Sequence, residues 1–193
     1  MKKVMMMALV ALSTGVFAQV KDGKYIFDYK ASKVGWHGEK VAGGGHDGNV
    51  GVSSGNVVVM RNNIASGKIK MNMNDISCSD ISDPGTNSKL INHLKADDFF
   101  NTTQYPDATF EITSCTPAKG NNGTTHNMKG KLTIKGKSND VSFPIKMEGE
   151  GNNISITGEL TFDRSLFNVK YPSAGDYAAK NDVKLTFNLT GKQ

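Results

Sequence analysis

The chain has 193 residues, with 23 Lys and Arg against 18 Asp and Glu, so its formal net charge is +5. Without Lys2 and Lys3 the excess falls to +3 and is scattered, which argues against a nucleic-acid-binding protein. Abundant Gly (21), few Pro (5) and no low-complexity tract or internal repeat exclude a disordered linker or a solenoid.

Residues 1–18 have the layout of a secretory signal peptide. Lys2 and Lys3 supply the positive start, and Val4 to Phe17 is apolar apart from Ser13, Thr14 and Gly15. Val16-Phe17-Ala18 then places small residues where a signal peptidase reads. The apolar run is short for a membrane span. The expected mature chain is residues 19–193, a single domain with enough length for a sizeable core or a cavity. A periplasmic or secreted location follows from that expectation.

From Tyr25 onward the pattern is alternation. Tyr25, Phe27 and Tyr29 come first, then Val34 and Trp36. Val50 to Met60 alternates but is interrupted by Ser53-Ser54-Gly55. Ile69, Met71 and Met73 alternate with Lys68, Lys70, Asn72 and Asn74. Beyond a central interruption come Phe110 and Ile112, then Leu132 and Ile134. Lys135-Gly136-Lys137 reads as a tight hairpin, and Val141, Phe143, Ile145 and Met147 follow it. Gly149 to Asn153 reads as a looser turn. Ile154, Ile156, Leu160 and Phe162 continue, and Val183, Leu185, Phe187 and Leu189 close the series. Strict alternation means sheet with one wet and one apolar face. About eight such strands predict an all-β fold, either a closed antiparallel barrel or a sandwich.

The interruption, Asn87 to Phe110, is the only stretch that reads as helix. Leu90, Ile91 and Leu94 share a face, and Pro84-Gly85 reads as a turn ahead of them. Phe99 and Phe100 follow, and Tyr105-Pro106 must leave the helix. A short amphipathic helix tipped with two Phe, set among strands, suggests a lid. Cys78 and Cys115 flank it. They are expected either to form a disulfide tying the two ends of the lid or to remain separate thiols.

An eight-stranded barrel is either filled by its side chains or holds one small ligand. If it holds a ligand, the alternation assigns the lumen to Trp36, Val57, Ile69, Met71, Met73, Phe110, Ile112, Leu132, Ile134, Phe143, Ile145, Leu160, Phe162, Phe167, Leu185 and Phe187. The lid adds Leu90, Leu94, Phe99 and Phe100. Catalytic patterns are absent. His37, His46, His93 and His126 have no H-E-x-x-H or other short ligand spacing, so no metal site or cofactor is expected. Gly43-Gly44-Gly45 lacks the ending of a phosphate loop, and no G-x-S-x-G elbow occurs. Arg164 could contact an anionic headgroup as a fork donor, or could bond nearby loop carbonyls instead. His46 is a second headgroup candidate.

Four blocks carry a resemblance. They are SKVGWHGEKVAGGGHDGNV (Ser32–Val50), HLKADDFFNTTQYPDATFEI (His93–Ile112), GKLTIKGKSNDVSFPI (Gly130–Ile145) and FDRSLFNVKY (Phe162–Tyr171). In this order they resemble the YceI-like family of exported polyisoprenoid-binding proteins. Asn168 stands where that family often has Gly, and the Gly43–Gly45 run is richer in glycine than usual. The resemblance implies a lipocalin-like barrel that encloses a long isoprenoid or similar amphiphile, with transient membrane contact and no catalysis. The alternatives from the residues alone are a hydrolase or isomerase using the same lumen, and a surface-interaction module with a filled core.

Overall fold

A computed structural model describes residues 19–120, 123–170 and 178–193. The expected signal peptide lies outside the described residues. The strands are β1 (Gly23–Phe27), β2 (Lys33–Lys40), β3 (Gly45–Met60), β4 (Asn63–Cys78), β5 (Asp107–Pro117), β6 (His126–Ile134), β7 (Lys137–Glu150), β8 (Asn153–Asp163) and β9 (Ala179–Lys192). The helix α1 (Pro84–Lys95) lies between β4 and β5, and a 3-10 turn, Arg164–Phe167, follows β8.

All pairings are antiparallel, and β2 to β9 close into an eight-stranded barrel: β9 returns to β2, β2 pairs β3, and β3 pairs β4. The short β1 does not add a ninth stave. It pairs with β3 through Tyr25↔Val57 and with β9 through Phe27↔Gly191, whereas β2 pairs with the other halves of those strands, through Val34↔Val50 and Trp36↔Leu185. The two therefore run end to end in one gap. Asp28 N–H donates to the Thr190 carbonyl at the joint, and Ser32 Oγ accepts from Thr190 N–H.

Up-and-down connectivity sorts the loops by end. The β2–β3 loop, α1, the β6–β7 hairpin and the 3-10 turn after β8 lie at one end, the mouth. The β3–β4, β5–β6 and β7–β8 connections lie at the other, the base. The base is plugged. Tyr25, Val59, Ile64 and Ile154 are fully buried there, and the Tyr25 hydroxyl donates to the Lys21 carbonyl. Val20 N–H donates to Asn62 Oδ1, drawing the start of the described chain across the plug.

Three local features differ from the sequence expectation. Ser53-Ser54-Gly55 does not end a strand; β3 runs through it on a bulge between Val52 and Ser54, and Ser53 Oγ donates to the Lys70 carbonyl. The β7–β8 turn is tight, because pairing continues to Glu150↔Asn153 and leaves only Gly151 and Asn152 between. Pro84 is not in a turn before the helix but in its first turn, where a missing N–H costs nothing. Asp83 caps that turn, accepting from Thr86 N–H at 2.8 Å and from the Thr86 hydroxyl. The Lys135-Gly136 hairpin is as expected, with both residues at positive φ (49° and 70°), the type I′ geometry.

The hydrogen bonds from Thr86 hold the Asp83 carboxyl below the usual carboxylate range. Its ionised form is therefore the one that stabilises the fold. That contribution is complete above the ordinary Asp range and is lost as pH falls through the lowered folded-state value. Asp83→Ala should lower the melting temperature at neutral pH, and the gap to wild type should close as the solution is acidified. Thermal melts of both proteins across that range test this; a gap independent of pH would show that the cap does not act through its charge.

Candidate functional site

The barrel interior contains two adjoining cavities. The wider, about 310 Å³, lies under the helix at the mouth, and the narrower, about 50 Å³, lies towards the base. Met71, Leu132 and Leu185 line both, so together they form a waist in one lumen.

The wide chamber takes Trp36, Met73, Ile134 and Phe162 from the wall, and Leu90, Leu94, Phe99 and Phe100 from the lid. Phe99 and Phe100 meet edge to face at 4.9 Å, and the Phe100 N–H bonds back to the Leu94 carbonyl. Lys135 Nζ, on the β6–β7 hairpin, donates to the Asp97 carbonyl at 2.8 Å and to the Asn168 carbonyl, which ties the segment after α1 to the rim. Trp36 lies across Gly48, where a Cβ would come within 2.6 Å of the indole, and its Nε1–H donates to the Ser77 carbonyl. Among the described residues, the polar side chains in this chamber are Glu39, Lys40, His46 and His93.

The narrow chamber is lined by Val57, Ile69, Phe110, Ile112, Phe143, Leu160 and Phe187, and no polar side chain among the described residues lines it. Phe143 links the ring cluster, 5.4 Å from Phe110 and 5.3 Å from Phe187. Of the residues assigned to the lumen from sequence, only Ile145 and Phe167 line neither chamber. Both are buried in solid packing, Phe167 edge-on to Phe162 at 5.3 Å. Sequence reading missed Val50, Ile76, Met128, Val183, Ile156 and Leu189. Val183 and Leu189 sit in the same alternation as Leu185 and Phe187, so that signal was present. The rim residues Glu39, Lys40 and His93 carry no apolar pattern and left none.

The structure bears on two alternatives that the sequence leaves open. Arg164 takes the second of its two expected roles: it is 2 % exposed and donates to the carbonyls of Val169, Ala179 and Lys180. It pins the 3-10 turn and the segment after it to the start of β9. The Cys78–Cys115 disulfide is not formed, and both thiols are free. Cys115 lies beside Ile64 near the base, while Cys78 ends the same strand β4 at the mouth. The span from residue 64 to residue 78 is roughly 46 Å at about 3.3 Å per residue, against about 4.4–6.8 Å between the Cα atoms of a disulfide. Burial pushes the Cys115 thiol up to about 11.

His46 does reach the lumen rim, and its Nδ1 lies 2.9 Å from Asp80 Oδ2. Asp80 Oδ1 accepts from Asp47 N–H at 2.9 Å and from Cys78 Sγ at 3.1 Å. Burial works to raise the Asp80 carboxyl. The bonds from His46, from Asp47 N–H and from Cys78 outweigh it and hold the group well below the usual carboxylate range. Desolvation and the bond to Asp80 raise the Cys78 thiol. Sequence spacing hides this cluster, since His46 and Asp80 are 34 residues apart.

The sequence model of the family described as YceI-like domain matches residues 25–191. Among curated relatives, UPF0312 protein SAB2563 of Staphylococcus aureus (strain bovine RF122 / ET3-1) is 32% identical over 105 residues, covering 48% of this chain and 56% of that relative. Protein YceI of Shigella flexneri is 38% identical over 60 residues, 31% of this chain and 29% of that protein. The chain spans about half the length, or less, of these curated relatives. The crystal structure of Burkholderia cenocepacia BcnA superposes with a TM-score of 0.68 at 25% identity, over 85% of this chain and 98% of that one. A polyisoprenoid binding domain from Saccharophagus degradans, implicated in plant cell wall breakdown, superposes with a TM-score of 0.64 at 12% identity, over 87% and 97%.

If Arg164 is a strut rather than a headgroup contact, its removal should act on stability. Arg164→Ala leaves carbonyls without their donor, at about 1–3 kcal/mol for each buried group left unpaired. Denaturant titration should show a large fall in midpoint, with only partial recovery in Arg164→Lys, whose donors all radiate from one nitrogen and cannot reproduce the fork that reaches the carbonyls of Val169, Ala179 and Lys180. A fully stable Arg164→Ala variant with weakened ligand binding would restore the headgroup role.

Proposed function

The chain belongs to the YceI-like family, and from that premise we propose that it is an exported carrier that holds one polyisoprenoid or similar long-chain lipid in its lumen. The tail runs past the waist into the narrow chamber, and the headgroup stays at the mouth beside Glu39, Lys40, His46 and His93. The observation that carries this reading is the two-chamber lumen, with an apolar lid over the wide part and, among the described residues, no polar side chain around the narrow part.

The energetics favour a tail. Burial in such a lumen is worth roughly 25 cal/mol per Å² of apolar surface, and the closed wall offers no sheet edge to compete for pairing. The volume of the wide chamber falls in the range of ordinary small-molecule sites, about 300–1,000 Å³. The ligand class is supported by the fold shared with the Saccharophagus degradans domain and by the apolar lining. The signal-like residues 1–18 supply the export step, after which a lipid carrier in an aqueous compartment must cover its cargo. The titratable groups of the lumen sit at the rim, away from the tail, which suits binding rather than chemistry on the chain.

Met71→Arg separates this function from a packed core. Met71 is at the waist, where a tail must pass and where a buried unpaired charge is costly. Native mass spectrometry with solvent extraction should find a single long-chain lipid per wild-type chain. The folded Met71→Arg protein should lose it while melting near the delipidated wild type. A folded variant with undiminished lipid, or a wild type that neither carries lipid nor takes up polyprenol from vesicles, sinks the proposal. Collapse of the fold in Met71→Arg supports a filled interior instead.

A further inference from the structure

The cluster at the rim of the mouth has a chemistry that lipid binding does not use. We propose that His46, Cys78 and Asp80 form a site for a single zinc-like divalent cation, with one coordination position left open towards the mouth. The three side chains come from the start of β3, the end of β4 and the residues just after it, and their donor atoms all lie within 4.8 Å of one another. His46 and Cys78 are partly buried, and His46 is itself part of the lumen wall.

The convergence is built into the backbone. Gly48↔Cys78 is a paired position, Ser79 N–H donates to the Asp47 carbonyl, and Asp47 N–H donates to Asp80 Oδ1. Asp80 Oδ1 is thereby oriented from behind, leaving Oδ2 beside His46 Nδ1. A ligating carboxylate held by an outer hydrogen bond is a usual second-layer arrangement in metal sites.

Distances and donor types select the ion. Metal–ligand bonds of about 2.3 Å to sulfur and 2.0–2.2 Å to nitrogen and oxygen put tetrahedral ligand atoms roughly 3.3–3.6 Å apart. Nδ1 and Oδ2 are now at 2.9 Å, and Sγ and Oδ1 at 3.1 Å. Loading requires these contacts to open by about half an ångström, which side-chain rotation supplies. Thiolate with imidazole suits zinc and its neighbours, whereas calcium and magnesium take oxygen ligands. The proton balance is simple. The Cys78 thiol proton leaves to solvent as the sulfur–metal bond forms, and His46 binds through Nδ1 with its proton on Nε2. Three protein ligands leave the fourth position to water or to an oxygen donor at the mouth, as in open zinc sites. The site depends only on these side chains and stands whether or not the lumen carries a lipid.

The test uses the full exported chain, reduced and stripped with chelator. Zinc alone is titrated against a chromophoric chelator, and cobalt is then used as a spectroscopic substitute. One zinc should bind per chain, and the cobalt form should show a thiolate-to-cobalt charge-transfer band. Cys78→Ser should abolish that band, and Cys78→Ser, His46→Gln and Asp80→Asn should each weaken zinc by about tenfold or more. His37→Gln should leave binding unchanged, since His37 bonds instead to Asp47 and Glu39. On the wild type, zinc should slow alkylation of Cys78, a readout that needs no variant to fold. No zinc uptake, a cobalt spectrum without the charge-transfer band, or alkylation of Cys78 at the same rate with and without zinc would overturn the site.

Discussion

The return of β9 to β2, and of β3 to β4, is the constraint on which the rest of this structure depends. A closed sheet has no free edges to protect, so nearly every strand can be long and regular; β3 and β4 each run 16 residues, roughly 53 Å at about 3.3 Å per residue. Closure also divides each strand's residues into an inner and an outer set with no third choice. Eight strands fix the bore at a width that side chains can fill or a slender ligand can occupy. Which outcome prevails is decided locally, by side-chain size at each level. Tyr25, Ile64 and Ile154 fill the base, and the methionines and phenylalanines above leave space.

That closure explains what could be read from the sequence. Alternation is a property of the strand alone, so Ile69, Met71 and Met73, or Leu185 and Phe187, identify their face without knowledge of the partner strand. Which residues face inward was therefore legible almost residue by residue. Ile145 and Phe167 line neither chamber because facing inward does not distinguish a cavity wall from a plug; that depends on what fills the same level from the opposite side. The bulge at Ser53 was hidden for a related reason. Its donor finds the Lys70 carbonyl on a neighbouring strand, and nothing near Ser53 in sequence announces it.

The polar features were less legible because they depend on convergence across the chain. Arg164 reads equally well as an anion contact or a strut until the carbonyls of Ala179 and Lys180 are placed beside it. The two cysteines flank the helix in sequence, which suggested a bridge, yet β4 ends with Cys78 at the mouth and β5 carries Cys115 down to the base. β4 brings Cys78 to His46 instead. Polarity in the lumen is graded as a result: none around the narrow chamber among the described residues, and ionisable groups at the mouth where water and the lid meet.

The plugged base has a consequence for any chain-like occupant. An interior stopped at one end acts as a ruler. A slender molecule entering at the mouth advances until its tip meets the packing around Tyr25 and Val59, and each unit added up to that depth buries more apolar surface. Units beyond that depth stay outside and gain nothing. For such an occupant, binding strength would climb with tail length and level off at a length set by the distance from rim to plug, without any group that recognises the tip.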